Sequence, residues 1–207
     1  MNRRDFIAAA MAAAAAGPAL AAPATVLVVG DSLSAEYGLR RGSGWVSLLQ
    51  QKLQAEKLDA RVVNASISGD TTSGGRSRLP ALLKQHTPTH VVIELGGNDA
   101  LRGLPLSMTE DNLSAMVQAA QKAGAKVLLV GMQLPPNYGA DYGKRFAGLY
   151  EKVARQHRTA LVPFFLKDVA DIPDATRLFQ ADRIHPNEEA QARMLANVWP
   201  ELRKLLQ

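Results

Sequence analysis

Cysteine is absent from the whole chain. No disulfide framework, thiolate nucleophile or cysteine-based metal site is therefore available to it. Aromatic residues make up 5% of the sequence, too few to build the stacking platforms on which nucleic acids are held. Lys and Arg number 24 against 19 Asp and Glu, a formal charge of +5, but the basic residues are scattered. The surplus reads as a solvated surface and not as a nucleic-acid interface. No Gly-rich phosphate loop of the Walker or dinucleotide type occurs. Four histidines are present, with no third ligand beside any candidate pair, so a zinc site has no ligand set. Beyond the N-terminus no apolar run approaches the ~20 residues that crossing a bilayer requires.

The N-terminus carries a different signal. Met1-Asn2-Arg3-Arg4-Asp5-Phe6-Ile7 is short and basic, Ala8 to Ala16 is apolar, and small residues follow Gly17-Pro18 through Ala24. That is the order of an export signal: charged, apolar, then a small-residue cleavage zone. Arg3-Arg4-x-Phe6-Ile7 is similar to a twin-arginine address. A membrane-spanning helix is the competing reading, and the run is too short for it. Cleavage fits Ala19-Leu20-Ala21 best, with Ala22-Pro23-Ala24 as rival. The expectation is a leader over residues 1–23, one domain over 24–207, and a periplasmic or secreted destination without a stable membrane anchor. At 207 residues and 47% apolar content, one full core is expected and no second.

Apolar runs and helical spacings alternate along the rest. Val26–Val29, Arg61–Ala65, His90–Leu95, Lys126–Val130 and Ala160–Phe164 read as strands. Between them the spacing predicts helices over Trp45–Lys57, Leu79–His86, Thr109–Ala123 and Asp141–His157, with Thr109 as a cap and Gly124 as a stop. Asn187 caps a last helix that runs to about Leu206. Strict alternation with near-continuous apolar strands implies a parallel sheet covered by helices on both faces. Right-handed crossovers then bring all strand C-termini to one edge, where ligands bind.

Four motifs fall at that edge in order: Gly30-Asp31-Ser32-Leu33-Ser34, Ser68-Gly69-Asp70, Gly96-Gly97-Asn98-Asp99 and Asp182-Arg183-Ile184-His185-Pro186. Ser32 leaves the first strand at or near the start of a short helix, with Asp31 holding the turn. Gly69 lacks a Cβ, so its N–H can face an oxyanion, and the Asn98 amide can donate to the same charge. His86 and His157 sit near helix C-termini and His90 opens a strand; only His185 has an Asp three residues before it. Asp182 can accept from His185 Nδ1 and leave Nε2 to take the Ser32 proton. Taken singly, each motif has a plainer reading: Ser32 as a helix cap, Gly69 and Asn98 as turn residues, Asp182-x-x-His185 as a metal pair or a helix start.

Taken together, in this order, the motifs resemble the four signature blocks of the SGNH (GDSL-type) hydrolases, and within them the bacterial envelope thioesterase I/lysophospholipase/protease I and arylesterase group. The similarity extends through Asn64–Thr71, Arg78–Leu83, Glu94–Asp99, Leu134–Gly139 and Ile184–Asn187, nearly the whole mature chain. It implies a three-layer α/β/α fold with five parallel strands in flavodoxin-like order. It also implies Ser32 as nucleophile, His185 and Asp182 as its partners, and an oxyanion hole from the Ser32 and Gly69 N–H groups plus the Asn98 side chain. No metal or organic cofactor is implied. The implied partners are small-molecule substrates, acyl esters and thioesters: aryl esters, lysophospholipids and fatty acyl-CoA. Arg183 departs from the pattern, which carries a small residue there, often Gly; its charge bears on the mouth of the crevice.

Leu101, Leu104, Leu106 and Met108, with Leu134, Pro135 and Phe179, are candidates to line an acyl groove, and equally candidates for ordinary loop anchoring. The expectation is thus a monomeric exported serine esterase/thioesterase. A carbohydrate O-deacetylase and a non-catalytic lipid-binding module are the alternatives.

Overall fold

Five short strands carry the fold in the order β2-β1-β3-β4-β5, every neighbouring pair parallel. The computed structural model describes residues 23–207, so the expected leader lies outside the described residues but for Pro23. The strands are β1 (Ala24–Gly30), β2 (Ala60–Asn64), β3 (His90–Glu94), β4 (Lys126–Val130) and β5 (Ala160–Val162). The helices are α1 (Trp45–Ala55), α2 (Thr72–His86), α3 (Gly97–Leu101), α4 (Leu106–Lys122), α5 (Ala140–His157) and α6 (Glu188–Leu206), with 3₁₀ turns at Pro136–Tyr138 and Ala175–Leu178. The helices α1 and α6 pack together; α2 packs on α4, and α4 on α5. This is the expected three-layer α/β/α arrangement in flavodoxin-like order.

The three central strands explain the continuous apolar runs. Val26 to Val29, Val91 to Ile93 and Val127 to Val130 are buried on both faces, with Trp45, Leu49, Phe146 and Met194 among the helix residues that cover them. Truncating one such side chain, Ile93→Ala for example, leaves a cavity and costs about 2–5 kcal/mol. By contrast, β2 alternates half-buried and exposed residues, as an edge strand does.

The boundaries differ from expectation where distant packing overrides local signals. Helix α2 starts at Thr72, two turns before Leu79, because the Thr71 hydroxyl accepts from Gly74 N–H and because Gly75 lies against Leu95 and Met116, where no Cβ fits. Contact, not propensity, explains a helix through two glycines and Pro80. Helix α4 begins at Leu106, with Pro105 and not Thr109 at its cap; Thr109 is buried, 3.4 Å from Asp99 Oδ1. Gly124 does follow the helix end, at φ 84°. Strand β5 stops at Val162, two residues early, since the Gly131 carbonyl takes Phe165 N–H as the chain turns away. Helix α1 ends at Ala55, and α3 had no counterpart in the sequence pattern. Asn187 caps α6 as expected, its side chain accepting from Glu189 N–H at 3.0 Å.

Strand order reverses between β1 and β3, and this is where an open α/β sheet leaves a crevice. The loops that leave these two strands carry Ser32 and Asn98.

Candidate active site

The loop after β1 is held from inside. Asp31 Oδ1 accepts Leu33 N–H at 3.0 Å, and Asp31 O accepts from Ser34 and Ala35 at 3.2 and 2.9 Å. The segment is a run of turns and not the short helix expected. It leaves Ser32 half-buried with its hydroxyl 2.9 Å from His185 Nε2. His185 Nδ1 lies 2.7 Å from Asp182 Oδ2. The other Asp182 oxygen accepts Ile184 and His185 N–H at 2.9 and 3.0 Å. Those backbone donors, His185 N–H first, hold the Asp182 carboxyl down to about 2, so it is ionised throughout the neutral range. The Tyr37 ring stands 4.4 Å from the imidazole. Two segments far apart in sequence thus form one proton relay, with distances in the range proton transfer needs.

Two backbone donors stand open. Gly69 has φ 77°, which favours glycine. Arg102 Nη2 donates to its carbonyl at 2.8 Å and so anchors the Gly69–Asp70 peptide that follows it. Among the described residues, neither Ser32 N–H nor Gly69 N–H has an acceptor in the protein.

Asn98 is placed differently from the free donor that was expected. Its amide donates to Asp31 Oδ2 at 3.0 Å and to Asp70 O at 2.9 Å, which engages both hydrogens. Donation to an oxyanion means sharing one of them. Asp99 is buried, accepts Thr72 N–H at 2.9 Å and the Thr72 hydroxyl, and ties α2 to the strand end.

Beneath the serine loop lie groups that sequence reading passed over. Glu94, the last residue of β3, is buried; its Oε2 accepts the Ser34 hydroxyl at 2.7 Å and Asp31 N–H at 3.3 Å. Ser34 in turn accepts from Trp45 Nε1 at 3.1 Å. Burial, then the Asp31 charge, pushes the Glu94 carboxyl well above the usual range. Burial likewise raises Asp31 to about 6, against the Leu33 N–H that lowers it. Arg78, on α2, pairs with Asp70 at 2.8 Å and donates to the carbonyls of Ala65 and Gly30, joining the ends of β1 and β2. The signals were present: a lone acid closing an apolar strand, and a basic residue eight positions after Asp70.

A second serine–histidine contact shows what the first has in addition. Ser114 Oγ and His157 Nε2 are 2.6 Å apart between α4 and α5. Among the described residues, no carboxylate meets the other nitrogen of His157 and no pair of unengaged N–H groups faces Ser114.

Of the expected groove residues, Leu101 is exposed beside the crevice, while Leu106, Leu134 and Phe179 are half-buried against the core, and Phe179 bridges to Pro186. Leu104 and Met108 are half-buried and Pro135 is exposed. Arg183 is exposed at φ 57° and, among the described residues, makes no ion pair. Two surface cavities of about 340 and 390 Å³, one lined by Lys126 and Arg158 and the other by Arg40 and Glu188, contain neither Ser32 nor His185.

Known proteins resemble this chain over most of its length. The sequence model of the GDSL-like lipase/acylhydrolase family matches residues 28–193. Esterase TesA of Pseudomonas aeruginosa is 56% identical over 186 residues, 90% of this chain and 91% of that protein. Thioesterase 1/protease 1/lysophospholipase L1 of Escherichia coli K12 is 46% identical over 83% of this chain and 79% of its own length. The crystal structure of TesA superposes with a TM-score of 0.84 at 56% identity, covering 87% of this chain and 99% of that one.

Proposed function

The chain belongs to the GDSL-like lipase/acylhydrolase family as a serine hydrolase of the esterase and thioesterase kind, and we propose that it cleaves acyl esters and thioesters through an acyl-Ser32 intermediate. His185 Nε2 takes the Ser32 proton as Oγ attacks the acyl carbonyl. Ser32 and Gly69 N–H groups hold the oxyanion, joined by one Asn98 hydrogen released from Asp31 or Asp70. The tetrahedral adduct collapses, the alcohol or thiol leaves with the proton from His185, and Ser32 keeps the acyl group. Water, deprotonated by the same nitrogen, then releases the carboxylic acid. Asp182 fixes the tautomer and stabilises the imidazolium. One observation carries this reading: an unbroken relay of 2.7 and 2.9 Å runs from the Asp182 carboxylate through His185 to the Ser32 hydroxyl.

The substrate reading follows from where apolar surface is left uncovered. Tyr37, Ile67, Leu101, Tyr138 and Ile184 are the exposed large apolar side chains among the described residues, one from each loop that follows a strand. Ringing the site with apolar groups suits a medium or long acyl chain, on an aryl, thiol or lysophospholipid leaving group, better than the small polar ester of a carbohydrate. Among the described residues no helix is long and apolar enough to cross a membrane.

Fluorophosphonate labelling of wild type but not of Ser32→Ala, together with a loss of ~10⁴ or more in kcat, is the expected result. Retention of a tenth of wild-type kcat by folded Ser32→Ala would place the nucleophile elsewhere. A p-nitrophenyl ester series of rising chain length beside acyl-CoA and lysophospholipid ranks the substrates. For the address, Arg3→Lys with Arg4→Lys should strand precursor in the cytoplasm if a twin-arginine receptor reads the pair; undiminished export overturns that route.

A further inference from the structure

His185 reaches Ser32 across a gap of 153 positions, and one side chain outside the relay binds both loops. The His185 loop is closed at its base: Phe179 bridges Pro186, Gln180 N–H donates to His185 O at 2.8 Å, and Arg183 N–H donates to Gln180 O at 2.9 Å. The Gln180 side chain then reaches outward. Its Nε2 donates to Pro186 O at 3.2 Å, inside its own loop, and to Tyr37 O at 2.8 Å, on the serine loop. Tyr37 N–H lies 3.4 Å from Ser32 O, and the Tyr37 ring packs on His185. Gly38, at φ 68°, has no room for a Cβ because Gln180 Oε1 fills that space. A single half-buried amide is thus wedged between the strand of chain that presents the hydroxyl and the one that presents the imidazole.

We propose that Gln180 is a positioning residue that sets the separation of Ser32 Oγ and His185 Nε2 by tying the two loops together through Tyr37 O and Pro186 O. The inference rests on the roles proposed above for Ser32 and His185. Misplacing a base by an ångström is enough to slow a reaction about a hundredfold. Contacts at the starts of α1 and α6 also hold the two loops near each other, Glu188 accepting from Arg40 and Gln191 from Trp45 N–H, but they join the far ends of the loops. The amide acts within two bonds of Tyr37 and one residue of His185.

Two substitutions disturb the tie from opposite sides. Gln180→Met keeps the length and removes the donor; Gly38→Ala leaves Gln180 in place and pushes its amide out. Both should lower kcat for a short p-nitrophenyl ester by about 10- to 100-fold with KM within twofold, and slow fluorophosphonate labelling by the same factor. Gln180→Met should add less than a twofold loss in a His185→Ala background, because its effect passes through the imidazole; a purely structural residue lowers activity equally in both backgrounds. Unchanged kcat in both variants, a change confined to KM, or a full loss persisting in the His185→Ala background would each overturn the proposal. Ser32→Ala in the same labelling assay keeps the two readings apart: if it still labels, the nucleophile assignment fails, whatever Gln180 does.

Discussion

Asp182→Asn separates two roles that a carboxylate beside an imidazole can play. Asp182 Oδ1 accepts two backbone N–H groups at 2.9 and 3.0 Å, and Oδ2 meets His185 Nδ1 at 2.7 Å. An asparagine can keep the first pair of bonds only with its carbonyl in the Oδ1 place, which aims its NH₂ at Nδ1. The ring proton must then move to Nε2, and His185 donates to Ser32 where it should accept. The reversed amide leaves two backbone donors facing an NH₂, at a cost of roughly 2–6 kcal/mol. At its lower limit that keeps the working orientation to about one molecule in 30, which sets the smallest expected loss. The wrong tautomer in a serine triad typically lowers kcat about 10⁴-fold, or ~5.4 kcal/mol at 1.36 per decade.

If the carboxylate served only as a charge, the loss would be far smaller. Its side chain is 36% exposed, and an ion pair so hydrated is worth about 0–1 kcal/mol, a factor of five at most. The assay is kcat on a soluble ester at constant pH, with circular dichroism and Tm as controls. The expected result is a loss between ~30- and 10⁴-fold with Tm within about 4 °C of wild type. A variant within tenfold of wild-type kcat refutes the tautomer argument. The acid limb of stability gives an independent check. A carboxyl held at about 2 against its ordinary 3.8 contributes stability above pH 3.8 that is lost as pH falls through 2; Asp182→Asn should lack that limb.

Asn98→Ala should lower kcat by ~10²–10³ with KM little changed, and cost about 1–3 kcal/mol of stability because Asp31 Oδ2 and Asp70 O each lose a donor; a loss confined to KM refutes the oxyanion role. Glu94→Gln tests the buried acids. Their raised values, about 6 for Asp31 and well above normal for Glu94, mean the native state keeps protons that the unfolded chain releases, so stability falls as pH rises from about 4 past 6. The variant should flatten Tm over that window, and an unchanged slope in calorimetry counts against the assignment. Arg183→Gly relieves a left-handed backbone at φ 57°, worth ~1 kcal/mol, against a similar entropic penalty for glycine, so stability should change by less than about 0.5 kcal/mol. It should selectively weaken kcat/KM for an anionic thioester at low salt; equal changes on a neutral aryl ester exclude steering by this charge.

What the sequence made legible were short-range events: a β-branched run, the glycine that closes it, a cap such as Asn187. Those mark strand ends, and in a parallel sheet strand ends share an edge, so Ser32, Gly69 and Asn98 could be placed near one another from pattern, while His185 stood out by the Asp three residues before it and the roles of all four came from the family resemblance. What stayed hidden depends on partners far along the chain. Gly74-Gly75 reads as a break until Leu95 and Met116 are seen against it. Thr109 has the composition of a cap but is drawn inside α4 by Asp99.

The same distinction explains why so small a site rests on so many other groups. Asp182 is held within its own loop, but the other site residues are tied to neighbouring ones. The serine turn hangs on Asp31, which shares its burial with Glu94 on the neighbouring strand; the peptide after Gly69 is anchored by Arg102; Asn98 is pinned between two other loops; the imidazole is steadied by Tyr37. Loops over the edge of a sheet are the most mobile part of such a fold, while proton transfer tolerates little displacement. Cross-ties between loops reconcile the two, and they have no sequence signature because each joins residues with no fixed spacing. Buried polar groups such as Glu94 and half-buried ones such as Gln180, whose hydrogen bonds lead into neighbouring loops, are therefore the places where substitutions outside the motifs should slow the chemistry while leaving the fold intact.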